Sequence, residues 1–82
     1  MEPIRTITPD GRELRIRRNG DQWFVRCGKS QAESVSLDAA MIDALRGVYG
    51  SDGHRRHIDG VDYGAWVRRH ARAIEDFVNL EG

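Results

Sequence analysis

Apolar and polar side chains alternate with a period of two between Ile4 and Cys27, and turn-forming residues interrupt that alternation twice. Leu14 and Ile16 alternate with Arg15 and Arg17, and Trp23, Val25 and Cys27 alternate with Phe24 and Arg26. Such alternation marks strands with one buried face. Between these two runs lies Asn19-Gly20, the pair that most readily supplies the two positive φ angles of a type I′ hairpin turn. A turn centred there predicts that Arg18 faces Asp21, Arg17 faces Gln22, Ile16 faces Trp23, Arg15 faces Phe24 and Leu14 faces Val25. One hairpin face then carries Leu14, Ile16, Trp23 and Val25, and the other carries Arg15, Arg17, Phe24 and Arg26.

Thr8-Pro9-Asp10-Gly11 is a second turn signal, with Pro, Asp and Gly in suitable order. A three-residue loop pairs Thr8 with Arg12, Thr6 with Leu14 and Ile4 with Ile16. The first strand, about residues 3–8, thereby adds Ile4 to the apolar face and Arg5 to the basic one, beside Arg15. Gly28-Lys29-Ser30-Gln31 reads as a third turn, followed by a short strand over about residues 33–36. An odd loop length there turns Val35 inward, and an even one turns it outward.

From Ser36 onward the apolar period lengthens to that of a helix. Ser36 suits an N-cap, and Asp38 places a carboxylate in the first turn, where the helix dipole favours it. Leu37, Met41, Ala44, Leu45 and Val48 form one stripe, and Gly50 suits the C′ position. Residues 51–60 show no periodicity. A last helix is expected from Val61 or Asp62 to about Leu80, with Trp66, Val67, His70, Ala73, Ile74 and Phe77 inward and Arg68, Arg69, Arg72 and Glu75 mostly outward. Trp23 and Trp66 are then the large pieces of the core, facing each other from sheet and helix. The expected fold is a single α+β domain over residues 1–82. An antiparallel three- to four-stranded β-meander (about 3–36) packs against two C-terminal helices (about 37–49 and 61–80).

With 82 residues a single core is only just sufficient, and small domains often gain stability from a partner or from self-association. Thirteen basic and thirteen acidic residues cancel, so net charge selects no partner class. Charge is nonetheless segregated: residues 1–30 and 53–72 are net basic, and residues 31–52 and 73–82 net acidic. Every basic residue except Lys29 is Arg. This is the side chain suited to bidentate carboxylate or phosphate contacts, though a GC-rich genome produces the same bias. Cys27 is the one cysteine, which rules out an intrachain disulfide and favours a reducing, cytoplasmic setting. Its strand parity makes it a buried thiol. No apolar run approaches the roughly 20 residues of a membrane span, and no signal-peptide pattern opens the chain.

The basic sheet face, Arg5, Arg15, Arg17 and Arg26 around Phe24, is the leading candidate site. Arg and aromatic side chains are common interface anchors; alternatively, the Arg stems cover Phe24 while Glu13 pairs with Arg26 across the strands. A second basic patch combines Arg55 and Arg56 with Arg68, Arg69 and Arg72. His54 and His57 have a spacing that reaches one metal ion, but no Cys pair accompanies them and no metal or other cofactor is expected. An inward His70 reads as a hydrogen-bonded core residue. Nucleophile elbow, zinc-protease motif, phosphate loop and dinucleotide turn are all missing, so no catalytic residue is assigned.

The resulting expectation is a non-enzymatic module that occupies a surface of a larger protein, as accessory or inhibitory proteins of phages and mobile elements do. Its contacts would come from Arg5, Arg15, Arg17, Phe24 and Arg26, with Arg55 and Arg56 second. The alternative is a nucleic-acid-binding domain using Arg15 and Arg17 or the patch of Arg55, Arg56, Arg68, Arg69 and Arg72. Sheet surfaces that bind RNA commonly stack bases on two or more exposed aromatics, and this face has one. A homodimer is compatible with either reading, because hairpin edges are open.

Overall fold

Four strands, β1 (Ile4–Ile7), β2 (Glu13–Asn19), β3 (Gln22–Cys27) and β4 (Ser30–Ser34), form an antiparallel meander in the order β1-β2-β3-β4. Helices α1 (Leu37–Tyr49) and α2 (Tyr63–Glu81) follow, giving the expected α+β architecture. A computed structural model describes residues 3–49, 57–58 and 61–81. β5 (His57–Ile58), inside the segment that lacks periodicity, pairs with β6 (Val61–Asp62) just beyond it. Pairing of Val61 and Asp62 as strand is why α2 begins at Tyr63 rather than at Val61 or Asp62.

Pairing of β1 with β2 follows the turn chemistry: Ile4 faces Ile16 and Thr6 faces Leu14. The Thr8 and Gly11 amides donate to the Arg12 and Thr8 carbonyls at 2.8 and 2.9 Å, and Gly11 takes a φ of 88°. Thr8 is buried, its hydroxyl donating to the Asp10 carboxylate and accepting the Arg12 amide at 2.9 Å.

The β2–β3 register differs from the one expected. Asn19 faces Gln22, Arg18 faces Trp23, Arg17 faces Phe24, Ile16 faces Val25 and Arg15 faces Arg26. The two turn residues are therefore Gly20 and Asp21, with Gly20 at φ 65°. Glycine in the first central position meets the positive-φ requirement without a Cβ penalty, so Asn19 stays in the strand. A shift of two residues in pairing preserves which side each residue faces. Leu14, Ile16, Trp23 and Val25 are accordingly buried, while Arg15, Arg17 and Arg26 are exposed on the opposite side.

The β3–β4 hairpin repeats the device. Cys27 faces Ser30 across a two-residue turn, with Gly28 at φ 61°. That tight turn starts β4 at Ser30, three residues earlier than expected, and its even length leaves Val35 pointing outward at 66% exposure. In both hairpins an Arg two residues before the glycine donates its Nε to the glycine carbonyl at 3.1 Å: Arg18 to Gly20 and Arg26 to Gly28.

Ser36 precedes α1 as the N-cap, its carbonyl accepting the Ala40 amide at 3.1 Å. Its hydroxyl donates to the Asp38 carboxylate, which in turn accepts the Ala39 amide at 2.8 Å. Asp38 thus satisfies an amide that a helix start otherwise leaves unpaired. Helix α1 lies on β3 and β4, and α2 packs on α1. Leu14, Ile16, Val25, Leu37, Met41, Leu45 and Val67 are essentially inaccessible, each such aliphatic chain contributing about 1.5–3 kcal/mol. Trp23, Trp66 and Cys27 belong to the same core.

The inward face of α2 is rotated from the one expected. Val67 and Ala71 are buried, and Ile74 and Val78 are half-buried against the core. Ala73 and Phe77, expected inside, are exposed, and Glu75, expected outside, is half-buried. Apolar residues cover about half the helix circumference, more than one neighbouring helix buries, so packing on α1 selects which part is covered.

Candidate partner-binding face of the sheet

Strand pairing lines up two rows on the side of the sheet away from the helices. Arg5, Arg15, Arg26 and Gln31 stand opposite one another across β1 to β4, and Arg17, Phe24 and Glu33 form the neighbouring row. Directly opposed side chains on one sheet face have Cβ atoms about 4.5–5.5 Å apart. The face holds an open concavity of about 540 Å³, lined by Arg15, Arg17, Phe24, Arg26, Gln31 and Glu33 together with Pro3. Phe24 is half-buried there, between Arg17 on one side and Glu33 on the other.

Electrostatics of the face are unbalanced. Four guanidinium groups (Arg5, Arg15, Arg17, Arg26) share this face with two carboxylates, Glu13 and Glu33. Glu13 Oε1 is shared, lying 3.0 Å from Arg15 Nε and 3.6 Å from Arg5 Nε. These pairs are solvent-exposed and contribute about 0–1 kcal/mol each. Glu13 does not pair with Arg26, as the sequence register suggests, because the two-residue shift places Arg15 opposite Arg26. Like charges in that relation destabilise a sheet. Arg26 is instead held by the Gly28 carbonyl.

The second basic patch stands apart. Arg68, Arg69 and Arg72 are exposed on α2, in the helical layer, so the sheet lies between them and the concave face. Arg55 and Arg56 fall outside the described residues, as does His54. His57 is placed only as backbone in β5. Among the described residues no three His, Cys, Asp or Glu side chains gather as metal ligands.

His70 is half-buried on α2. Its Nδ1 donates to the Trp66 carbonyl at 2.9 Å, and its ring stacks on the Trp66 indole at 4.3 Å between centroids. Cys27 is buried, and that burial pushes its thiol above the ordinary value, outweighing the lowering influence of Arg12, while Asp10 adds to the rise. A buried neutral thiol is a poor nucleophile.

Sequence reasoning placed Arg5, Arg15, Arg17, Phe24 and Arg26 together, and the structure brings all five to one face. Gln31 and Glu33 were not foreseen as its far wall. Gly28 at the first position of a two-residue turn was the available signal, since it fixes the outward parity of both. No helix of the described residues is long and apolar enough to cross a membrane. Comparison with protein-family models, with curated proteins and with solved structures gave no match.

Proposed function

We propose that this protein is a non-enzymatic binding module whose concave sheet face seats an acidic surface of a larger protein, occluding it in the manner of an accessory or inhibitory protein. The observation that carries this reading is the cross-strand row Arg5–Arg15–Arg26 beside Phe24. Opposed guanidinium groups raise the free energy of the unbound face, and carboxylates from a partner relieve that repulsion while Phe24 supplies an apolar anchor. Arg forks suit such bidentate contacts.

Nucleic acid fits the same face less well. Glu13 and Glu33 oppose a phosphate backbone, and Phe24 is the single aromatic there on which a base could stack. The test compares capture from native cell extract by the tagged wild-type protein and by an Arg15→Ala/Arg17→Ala/Phe24→Ala/Arg26→Ala variant. An Arg68→Ala/Arg69→Ala/Arg72→Ala variant serves as control, and captured species are identified by mass spectrometry. The sheet variant is expected to lose a specific protein that the control retains. Equal capture by all three removes the sheet face as the interface. Binding to duplex or single strands that weakens steeply with salt favours nucleic acid instead.

A further inference from the structure

Helix α2 carries two apolar stripes. One, Val67, Ala71, Ile74 and Val78, faces the core. The second, Trp66, His70, Ala73, Phe77 and Leu80, has the 4-3-4-3 spacing of a coiled-coil seam. Its first half closes onto the protein, with Trp66 buried in the core and His70 half-buried against its ring, and its second half faces solvent, with Phe77 56% and Leu80 87% exposed.

Charges flanking this seam have an unusual order. Arg68, Arg69 and Arg72 precede Glu75 and Asp76, so the basic end of α2 is N-terminal and the acidic end C-terminal. The first turn has no acidic residue and the last no basic one. That order opposes the helix macrodipole, which favours acids at the start and bases at the end. Arg72 and Asp76 stand at i,i+4, yet among the described residues no ion pair forms on α2. Nothing among the described residues rewards the arrangement.

We propose that a second copy of this chain docks antiparallel along α2, with Ala73 near the two-fold axis. Arg69 and Asp76 lie seven residues apart and occupy the same position beside the seam. In an antiparallel pair, flanking positions of the same kind face each other. With the axis at Ala73, a rise of 1.5 Å per residue brings Arg69 of one copy within about 1.5 Å, along the axis, of Asp76 of the other. Symmetry makes this contact twice. Phe77 of one copy then covers the half-buried His70 ring of the other, with the two Ala73 residues between them. A parallel arrangement brings the two basic halves together and the two acidic halves together, and is disfavoured. The interface is isologous, so it closes at two chains. An interface built on one helix face of each copy makes the dimer a weak one.

Sedimentation equilibrium of the full chain at low salt measures the association. Wild type is expected to dimerise with rising concentration, more weakly as salt is added. Arg69→Asp and Asp76→Arg, each alone, are expected to raise the dimer dissociation constant about tenfold, since each replaces two attractive pairs with two repulsive ones. Arg69→Asp/Asp76→Arg in one chain is expected to restore dimerisation to near the wild-type value, and Phe77→Asp to abolish it. Thermal melting of each variant establishes that the monomer fold is intact, as these side chains are exposed. A wild type that stays monomeric at millimolar concentration overturns the proposal. So does a dimer indifferent to either charge reversal, or a double reversal no better than the single ones. The sheet-face variant leaves this equilibrium unchanged, which separates the two interfaces.

Discussion

Ser30, the first residue of β4, and Gly47, near the end of α1, meet at a separation that leaves no room for a side chain. Ser30 Oγ donates to the Ala44 carbonyl at 2.5 Å, and a Cβ added to Gly47 would lie 2.0 Å from that oxygen and 2.9 Å from the Ser30 Cβ. Ala40, Ala44 and Gly47 present small residues to the sheet at i, i+4 and i+7, letting α1 settle close onto β3 and β4. This contact ties the helical layer to the edge of the meander.

Alanine at Gly47 should normally improve a helix by about 1 kcal/mol. Here the overlap with Ser30 reverses the sign, and Gly47→Ala is expected to lower stability by about 1–2 kcal/mol net. Urea unfolding measures this. Adding Ser30→Gly should recover part of the loss; a single variant more stable than wild type shows that the approach does not constrain α1.

Hairpin turns give a second test. Gly20 and Gly28 hold positive φ, so Gly20→Ala and Gly28→Ala should each cost about 1 kcal/mol or more, from strain in the left-handed region. Asn19 sits in the strand opposite Gln22, and Asn19→Ala should cost a few tenths of a kcal/mol at most. If Asn19→Ala proved as costly as Gly20→Ala in urea unfolding, the turn would be centred one residue earlier.

Arg15 and Arg26 oppose each other across β2 and β3. Arg26→Glu converts a repulsive pair to an attractive one and should stabilise the free protein by about 0.2–1 kcal/mol. The same change should abolish capture of an acidic partner. A more stable protein that no longer binds is the outcome expected of a face shaped by function rather than by folding.

Burial raises the Cys27 thiol above the ordinary value of 9.0, against the lowering effect of Arg12. The folded state therefore retains the proton in a range where the unfolded chain has lost it. Stability from this group is fully present below the unfolded thiol pKa and falls as pH rises through it toward the folded value. Stability measured by urea between pH 8 and 11 should decline more in wild type than in Cys27→Ala, after correction for the constant cost of the cavity. Parallel declines would show that the thiol makes no contribution.

Period-two alternation alone determined which side chains of β1 to β3 point inward, because strand parity is a property of the backbone and survives a pairing shift of two. It therefore placed Trp23 in the core and Arg5, Arg15, Arg17 and Arg26 outside while leaving open which residues stand opposite. The choice of Arg15 with Arg26 belonged to the turn, where glycine at positive φ closes the loop one residue later than Asn-Gly preference suggests. Likewise, the stripe of α1 was legible, but Ala40 as a contact and Gly47 as a point of close approach were not. Both depend on how near the helix sits. The apolar arc of α2 is wider than one neighbour covers, so its sequence admitted several rotations. Packing on α1 chose the one that leaves Phe77 and Leu80 outside, since burial is settled between elements and not within one.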